Sequence, residues 1–508
     1  MQIWTVKDSL DVKKARKRKC QRDGQPQSSS NSYSEPSLTP DTTWSSFPPC
    51  TATTSSPAKS DNVPVSVAAA ATASSSSSSP SCIVPSDSEV TGRYYSPANQ
   101  LYESSPEILA QFSQVYDLFM LGPTFAEGFR AAIRRSFFSS PGLLKDIFEA
   151  MYSVVMRAKD RVRPYDEADI AVGAAALQKL RTVEVGNVHD ALAVNALGQT
   201  LAAFDLLTSC NDPSLILRYS LLSVAPWYGE LSRDPALDPF TITSIFWDTV
   251  SCLLRREVPV LRYTHCTPTP STFVCRERDH ADADADAATP TTATTVIERS
   301  AGLCTTLLPI LYDLCVASKE LDVQHQCSIP RSTGPIRLVE QSLRRWTPDL
   351  DALTAVGGSR ENKFSLTESL EMQSQAVMYR LAALLLVHRI WNPIGSLDDT
   401  ATHYAQDILD EMSRFRAAAA AAAAAATPPS PTPPAKMHNV AFPLLVASLE
   451  IAAVPKDIWQ NVSLSSFAPL CVTKIQALIE HVWAERRRGS REFMLDLIST
   501  GPNFMVVP

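Results

Sequence analysis

Residues 140–155 read SPGLLKDIFEAMYSVV and carry the pattern on which the fold prediction rests. A serine stands directly before a proline at the first helical position, a combination that favours the start of a helix. Large apolar side chains then recur every three or four residues, on one face of such a helix: Leu144, Ile147, Phe148, Met151 and Val155. This stretch predicts an amphipathic helix packed on a core.

The same period recurs along most of the chain. After Ser105 and Pro106 it places five apolar residues on one helical face: Leu109, Phe112, Val115, Tyr116 and Phe119. Further helices are predicted over 166–183, 188–210, 212–225, 239–256, 299–318, 334–345, 366–391, 398–415, 440–454, 467–488 and 491–499. Strand-like alternation and glycine-based hairpin turns are nearly absent, with 16 glycines in 508 residues. The sequence therefore predicts an all-α fold, with one large multi-helix domain over residues 104–508.

Two low-complexity insertions interrupt this domain. Residues 265–295 carry repeated Asp-Ala and threonine and are expected to form a surface loop. The second insertion, near 417–436, opens with ten alanines from Ala417 to Ala426. By propensity these alanines can extend the preceding helix until Thr427 and the two prolines after it stop it.

Residues 25–103 differ from the helical domain in composition. They consist largely of Ser, Pro, Thr and Ala, with six consecutive serines from Ser74 to Ser79. Such a segment buries too little apolar surface to offset its chain entropy, so we predict a long disordered linker. It would tether residues 1–24 to the helical domain.

Charge and cysteine usage limit the function classes. The net charge is −7, with a sequence pI of about 5.7, which excludes a generally basic nucleic-acid coat. Eleven cysteines without a C-x-x-C pair are typical of reduced core and loop thiols. The sequence shows no signal peptide and no apolar run near the length of about 20 residues that a membrane span requires. We therefore expect an intracellular protein without membrane contact.

The basic residues are concentrated at the start of the chain. Seven of the ten positions from 13 to 22 are cationic: Lys13, Lys14, Arg16, Lys17, Arg18, Lys19 and Arg22. Such a block provides phosphate contacts or a nuclear import signal. With the Asp-Gly that follows, it resembles the central stretch of the fungal binuclear zinc cluster, a six-cysteine DNA-binding module. On that pattern the first three cysteine positions fall on Val12, Ala15 and Arg22, and no cysteine lies between Cys20 and Cys50.

Zinc in such a cluster is held by thiolates, which valine, alanine and arginine cannot supply. The resemblance therefore implies a degenerate remnant of a DNA-binding head, with no cofactor in the chain as written. Zinc is expected only if a complete six-cysteine module is restored. Two explanations stay open: an incomplete or wrongly spliced N-terminus, or a genuine regulator that lacks the cluster.

The helical domain is similar to the fungal-specific transcription factor domain. The stretches that resemble it follow one another in order: SSPGLL at 139–144, Phe246-Trp247, LLRREVPVLR at 253–262, LLLVHRIWNP at 384–393, AFPLLVA at 441–447, then Trp483, Arg486-Arg487, Phe493-Met494 and FMVV at 504–507. The resemblance implies a nuclear transcription regulator whose helical domain contacts the transcription machinery or other regulators. Weak, non-specific DNA binding and homodimerisation are further expectations.

Other candidate chemistry is weak. His265, Cys266, Cys275 and His280 suit zinc by type, but their irregular spacing in a loop argues against a metal site. His403 and Asp407 match an H-x-x-x-D pattern, which we interpret as a surface pair. His388 and Arg389 are expected to cap the carbonyl end of their helix. No catalytic residue is predicted, since phosphate loops, nucleophile elbows and HExxH motifs are missing.

Three function classes compete. The first is the transcription regulator, acting on DNA or, without the cluster, as a co-regulator. The second is an all-α enzyme or ligand-binding protein, which a buried polar constellation around His403 or His189 would favour. The third is an interaction scaffold, which an apolar groove along an exposed helix would favour.

Overall fold

Helices make up nearly all regular structure in the computed structural model, which describes residues 106–118, 120–159, 167–263, 300–326, 333–354, 364–425 and 436–508. Over these ranges no strand forms, and a single isolated bridge joins Met437 to Val462. The predicted all-α fold is confirmed. The basic segment, the linker and the 265–295 insertion lie outside the described residues, as does the end of the alanine-containing insertion.

We number the helices of seven residues or more in chain order. They are α1 (106–112), α2 (Ala126–Ser139), α3 (Pro141–Lys159), α4 (Glu167–Thr182), α5 (Val188–Thr208), α6 (Ser214–Val224), α7 (Asp238–Arg255), α8 (Leu308–Gln326), α9 (Gly334–Arg345), α10 (Leu366–Trp391), α11 (Asp398–Ala425), α12 (Ala441–Ser448), α13 (Pro469–Arg487) and α14 (Met494–Thr500). Single helical turns join several of them, among them Tyr228–Leu231 and Leu464–Phe467.

Several predicted boundaries are confirmed. Helix α3 begins at Pro141, and α9 and α10 have the predicted limits. Helix α10 starts in a capping box: the Ser365 hydroxyl accepts from the Glu368 amide, and the Glu368 carboxylate accepts from the Ser365 amide. These reciprocal bonds satisfy donors that a helix start leaves free, which is why the start is readable from the sequence.

One helix was missed, and the limits of two others were predicted wrongly. Helix α2 was not predicted, although Phe129, Ile133 and Phe137 form a buried stripe with a period of four. The helix predicted from 299 begins only at Leu308, because Gly302 has φ +53° and a 3-10 turn follows it. The helix predicted over 440–454 ends at Ser448. After Ser448 the chain turns so that Glu450 reaches the interior, as described below.

The alanine run continues α11 as its propensity allows. The helix extends through Ala425, ten residues beyond the predicted end at Phe415. Within the run Ala419 is buried, whereas most of its neighbours are exposed. The extension therefore depends on helix propensity more than on packing.

Helix α5 is the central element of the N-terminal half. Asn187 caps it by accepting from the amides of His189 and Asp190, and nearly every residue from Ala191 to Thr208 is buried. Many of these residues are alanine or glycine, which lets several helices approach closely. Contrary to the expectation from the sequence, this helix is long and apolar enough for a membrane span, but 94% of the relevant window is buried inside the fold, as in the core helix of a globular domain.

Two side chains of α5 fix the start of α7. The Asn195 and Gln199 amides donate to the backbone carbonyls of Phe240 and Pro239, both at 3.0 Å. Gln199 in turn accepts from the Ser244 hydroxyl at 3.0 Å. Buried amides need such partners, so these bonds set the position of α7 against α5.

Candidate functional site

The residues predicted to contact phosphate are not among those that the structure describes. Lys13, Lys14, Arg16, Lys17, Arg18, Lys19 and Arg22 all precede residue 106. His265, Cys266, Cys275 and His280 lie between 264 and 299 and are likewise outside the described residues. Both predictions therefore remain predictions.

The His403–Asp407 pair lies on the exposed side of α11. Its His403 Nε2 and Asp407 Oδ2 atoms are 3.7 Å apart, and the two side chains are 75% and 39% exposed. His189 is also exposed, in the first turn of α5. The surface interpretation of His403 is confirmed, and neither histidine belongs to the buried constellation that would favour an enzyme.

The cysteines of the described domain are core residues. Cys304 and Cys315 are fully buried, and burial raises the pKa of both thiols above the usual value. Within the described ranges, no three His, Cys, Asp or Glu side chains are grouped so as to hold a metal ion. Cys327 lies outside those ranges.

The location of the Arg389 side chain departs most clearly from the predicted capping role. Instead of capping α10 from the surface, its side chain is completely buried. Its Nε and Nη2 donate to the two carboxylate oxygens of Glu450 at 2.7 and 2.6 Å, and Nη2 also donates to Asp398 at 2.6 Å. Asn392 closes the helix end instead, because its amide donates to the His388 carbonyl at 3.0 Å.

His388 does not act as a charged cap either. Burial, together with the positive charge of Arg389, lowers its pKa, so the imidazole is neutral near pH 7. Its Nε2 lies 3.2 Å from the Leu397 carbonyl oxygen in the loop before α11. A charged cap is therefore wrong for His388, whereas Arg389 is a cation in the last turn whose guanidinium binds Glu450 and Asp398.

A second guanidinium completes the cluster around Arg389. Arg486 of α13 donates to Glu450 Oε2 at 3.1 Å and to the Leu449 carbonyl, and it lies over the Trp483 ring at 4.4 Å. Two cations and two carboxylates therefore join α10, α11, the segment after α12, and α13. Arg389 and Glu450 are fully buried and Asp398 is 40% exposed, and the hydrogen bonds of this network fix the arrangement of four elements.

A concave feature of the described surface is a groove between α8 and α9. Its volume is about 320 Å³. From α8 it is lined by Ile310, Asp313, Val316, Ala317 and Glu320. From α9 it is lined by Pro335, Leu338, Val339 and Ser342, with Leu338 65% exposed. We call it the α8–α9 groove; its floor is apolar and its two carboxylates both come from α8.

A second exposed apolar feature runs along α6. Leu215, Tyr219 and Leu222 are 67%, 43% and 63% exposed and follow one another by four and three residues. This spacing places them on one helical face. An exposed apolar stripe of this kind is a possible contact surface for another protein.

In the comparison with known families, the fungal specific transcription factor domain matches residues 228–497. The match covers more than half of the 508 residues, and the chain belongs to this family of fungal transcription regulators. Both the α8–α9 groove and the Arg389 cluster lie inside the matched range. No curated protein and no solved structure matches the chain significantly.

Sequence reasoning missed the partners of Arg389. A usable signal was present, because both Arg389 and Glu450 interrupt strongly apolar stretches, LLLVHRIW and LLVASLEIAAV. A charged residue inside a buried helical period needs an opposite charge. Pairing the two requires knowing that α10 and the segment after α12 are neighbours, which the pattern alone does not tell.

Proposed function

We propose that the protein is a nuclear transcription regulator whose helical domain acts on other proteins. The observation that carries the proposal is the family match over residues 228–497, within an all-helical domain that presents an open groove. Its partners would be components of the transcription machinery or other regulators, and a second copy of the chain is a further candidate. Nuclear location and these partners are parts of the proposal.

In this proposal the basic segment supplies nuclear import and phosphate contact. Its seven cations would neutralise DNA phosphates without reading bases. Val12, Ala15 and Arg22 cannot act as zinc ligands, so no zinc-dependent step is assigned to this chain. DNA binding by this form is then weak and non-specific. With all seven cations on phosphates, the logarithm of the binding constant should fall with the logarithm of the salt concentration with a slope of about −6.

Localisation in fungal cells tests the proposal. A fluorescent fusion of the full chain should accumulate in nuclei, and replacing the seven cations of residues 13–22 by alanine should abolish this accumulation. A matched control replaces Arg337, Arg344 and Arg345, exposed on α9, by alanine; it should stay nuclear. Nuclear accumulation that survives the first replacement would overturn the import role.

A cluster-less co-regulator or scaffold is the second candidate. The α8–α9 groove and the exposed stripe on α6 favour it, since both can take up an apolar partner surface. DNA binding, measured by fluorescence anisotropy with a duplex of random sequence at 50 and 200 mM salt, distinguishes the DNA-contacting regulator from the scaffold. Weak, salt-dependent binding that is lost with the seven cations supports the DNA-contacting regulator. Absence of binding at 50 mM supports the scaffold.

A further inference from the structure

Two buried cysteines meet where the end of α5 packs against the start of α13. Cys210 follows the last turn of α5, and Cys471 lies in the first turn of α13. Both are free thiols with completely buried side chains, and a hydrogen bond joins them. Lys474, one turn after Cys471 on the same face of α13, donates from Nζ to the Cys210 carbonyl. The two thiols therefore face each other across the contact between these helices.

The backbone of Cys210 has a conformation that cysteine rarely adopts. Its φ is +46°, in the region that glycine usually occupies just after a helix. The Cys210 amide donates to the Asp205 carbonyl at 2.7 Å, and its carbonyl accepts from Lys474, so the strained residue is held on both sides. Strained residues of this kind cluster at functional sites. Here the strain places a thiol, where glycine would place no side chain, beside Cys471.

The surroundings of the pair favour the thiolate form of Cys210. The hydrogen bond from Cys471 lowers the pKa of Cys210, and the positive charge of Lys474 lowers it further, against the opposing effects of burial and Asp205. The same hydrogen bond raises the pKa of Cys471, and burial adds to this effect, so Cys471 keeps its proton. Cys210 is therefore the nucleophile of the pair, and Cys471 is the thiol that can follow it.

Two other buried cysteines have the opposite environment. Cys252 of α7 and Cys315 of α8 are close enough for the charge of one to affect the other. Burial raises the pKa of both thiols, and the carboxyl group of Asp248 raises it further. The Cys252 thiol lies 3.6 Å from Asp248 Oδ1, and the Cys315 thiol donates to the Thr249 carbonyl at 3.7 Å. Because these thiols stay protonated, burial of two cysteines near each other is not enough for reactivity.

We propose that Cys210 and Cys471 form a disulfide when the protein meets hydrogen peroxide, which makes the pair a redox-sensitive modification site. The Cys210 thiolate attacks a peroxide oxygen, and the O–O bond breaks. The hydroxide that leaves takes up the proton that Cys210 released, and Cys210 becomes a sulfenic acid. The Cys471 sulfur then attacks the Cys210 sulfur, and the S–O bond breaks. The hydroxyl group leaves as water with the Cys471 proton, so that two thiols and one peroxide give one disulfide and two waters.

The pair lies directly beneath the surface. Asn211 and Leu470, the chain neighbours of the two cysteines, are exposed. A local opening at the end of α5 is therefore enough to admit a molecule as small as hydrogen peroxide. Where thiol reductants are in excess the site stays as two thiols, and peroxide closes it reversibly. The disulfide would block relative movement of α5 and α13, whatever the role of the basic segment.

Mass spectrometry after peroxide treatment tests the proposal. The full chain is oxidised near neutral pH, unfolded in the presence of an alkylating reagent and digested without reduction. We expect linked peptides that contain Cys210 and Cys471 and that dithiothreitol separates, whereas Cys252 and Cys315 are recovered as alkylated thiols. Thermal melts of the oxidised chain should show a midpoint higher by about 5 °C, because the disulfide closes a long loop in the unfolded chain.

Variants assign this result to the pair. Cys210→Ser and Cys471→Ser should each abolish the linked peptides and the rise in melting temperature. Cys304→Ser is the matched control, because Cys304 is also completely buried, and it should retain both. Lys474→Gln should slow disulfide formation by about threefold or more, because the thiolate fraction of Cys210 falls. Far-UV circular dichroism shows that each variant is folded.

The unmodified chain decides the question even where a variant does not fold. Three outcomes in excess peroxide would overturn the proposal: recovery of Cys210 and Cys471 as alkylated thiols, a sulfinic or sulfonic acid on Cys210 in place of the disulfide, or a link between Cys252 and Cys315 that forms equally fast. None of these outcomes bears on nuclear accumulation, which the localisation experiment tests separately.

Discussion

Replacing Arg389 by methionine removes the charge from the buried cluster while keeping a side chain of similar length. Glu450, whose side chain is fully buried, loses hydrogen bonds of 2.7 and 2.6 Å and keeps only Arg486, at 3.1 Å. Asp398 loses its 2.6 Å partner. Removing one partner of a buried ion pair leaves an uncompensated charge, at a cost of about 3–5 kcal/mol. The free energy of unfolding should fall by that amount.

Urea unfolding followed by far-UV circular dichroism measures this loss. With a denaturant slope of about 3 kcal/mol/M, the midpoint should fall by roughly 1–1.7 M. The matched control is Arg344→Met, which removes a surface pair with Glu340 at 2.8 Å, where the side chains are 56% and 31% exposed. Its effect should not exceed about 0.5 kcal/mol.

The double variant Arg389→Met, Glu450→Met separates charge from packing. Because the second replacement removes the stranded carboxylate, the double variant should be more stable than the sum of the single losses predicts, by about 2 kcal/mol or more. Equal losses for Arg389→Met and Arg344→Met, or strictly additive losses in the double variant, would refute the reasoning from a desolvated cluster.

Three further predictions concern packing, pH and thiol access. Gly198→Ala should destabilise the domain by about 1–3 kcal/mol, because the added Cβ would lie 2.2 Å from the Ser220 Cβ. At Gly142 an added Cβ meets no atom within 4 Å, so Gly142→Ala should stabilise the domain by about 0.4–1 kcal/mol. Thermal melts compare the two variants. Burial alone would raise the pKa of Glu368, but hydrogen bonds from Thr124 and Ser365 outweigh burial and lower that pKa. The ionised Glu368 therefore contributes its full stabilisation above about pH 4.3, and this stabilisation is lost as the pH falls through the folded-state pKa. Urea titrations from pH 6 to pH 3 should therefore show a steeper loss for the unmodified protein than for Glu368→Gln. Cys304 should react with a thiol reagent at pH 8 only as fast as the domain unfolds, as stopped-flow absorbance would show, since its thiol is buried with a raised pKa.

Local signals predicted the helices well where they were complete. The limits of α9 and α10 follow from a proline near the helix start in one case and a capping box in the other. Helix ends were harder to predict where tertiary contacts decide them. Helix α12 ends at Ser448 because Glu450 turns inward to Arg389, a contact between residues 61 positions apart. No local pattern specifies such a contact.

The sequence predicted that a groove of this type was one possibility, but it did not predict where the groove lies. An apolar groove along an exposed helix was one of the expected alternatives, but its location depends on how α8 and α9 pack. Leu338 illustrates the limit: its helical period alone does not say that the side chain remains 65% exposed.

The hydrogen bonds between α5 and α7 determine where the chain can be truncated for expression. Asn195 and Gln199 lie before residue 228, yet they hold the first turn of α7, which lies inside the family match. Thr124 also precedes residue 228, and it donates to Glu368 at the start of α10 through both its amide and its hydroxyl. A fragment beginning at residue 228 would expose the apolar surface of α7 that α5 covers and would lose these bonds. The autonomous folding unit is therefore larger than the stretch that identifies the family, and fragments for expression should begin upstream of α1.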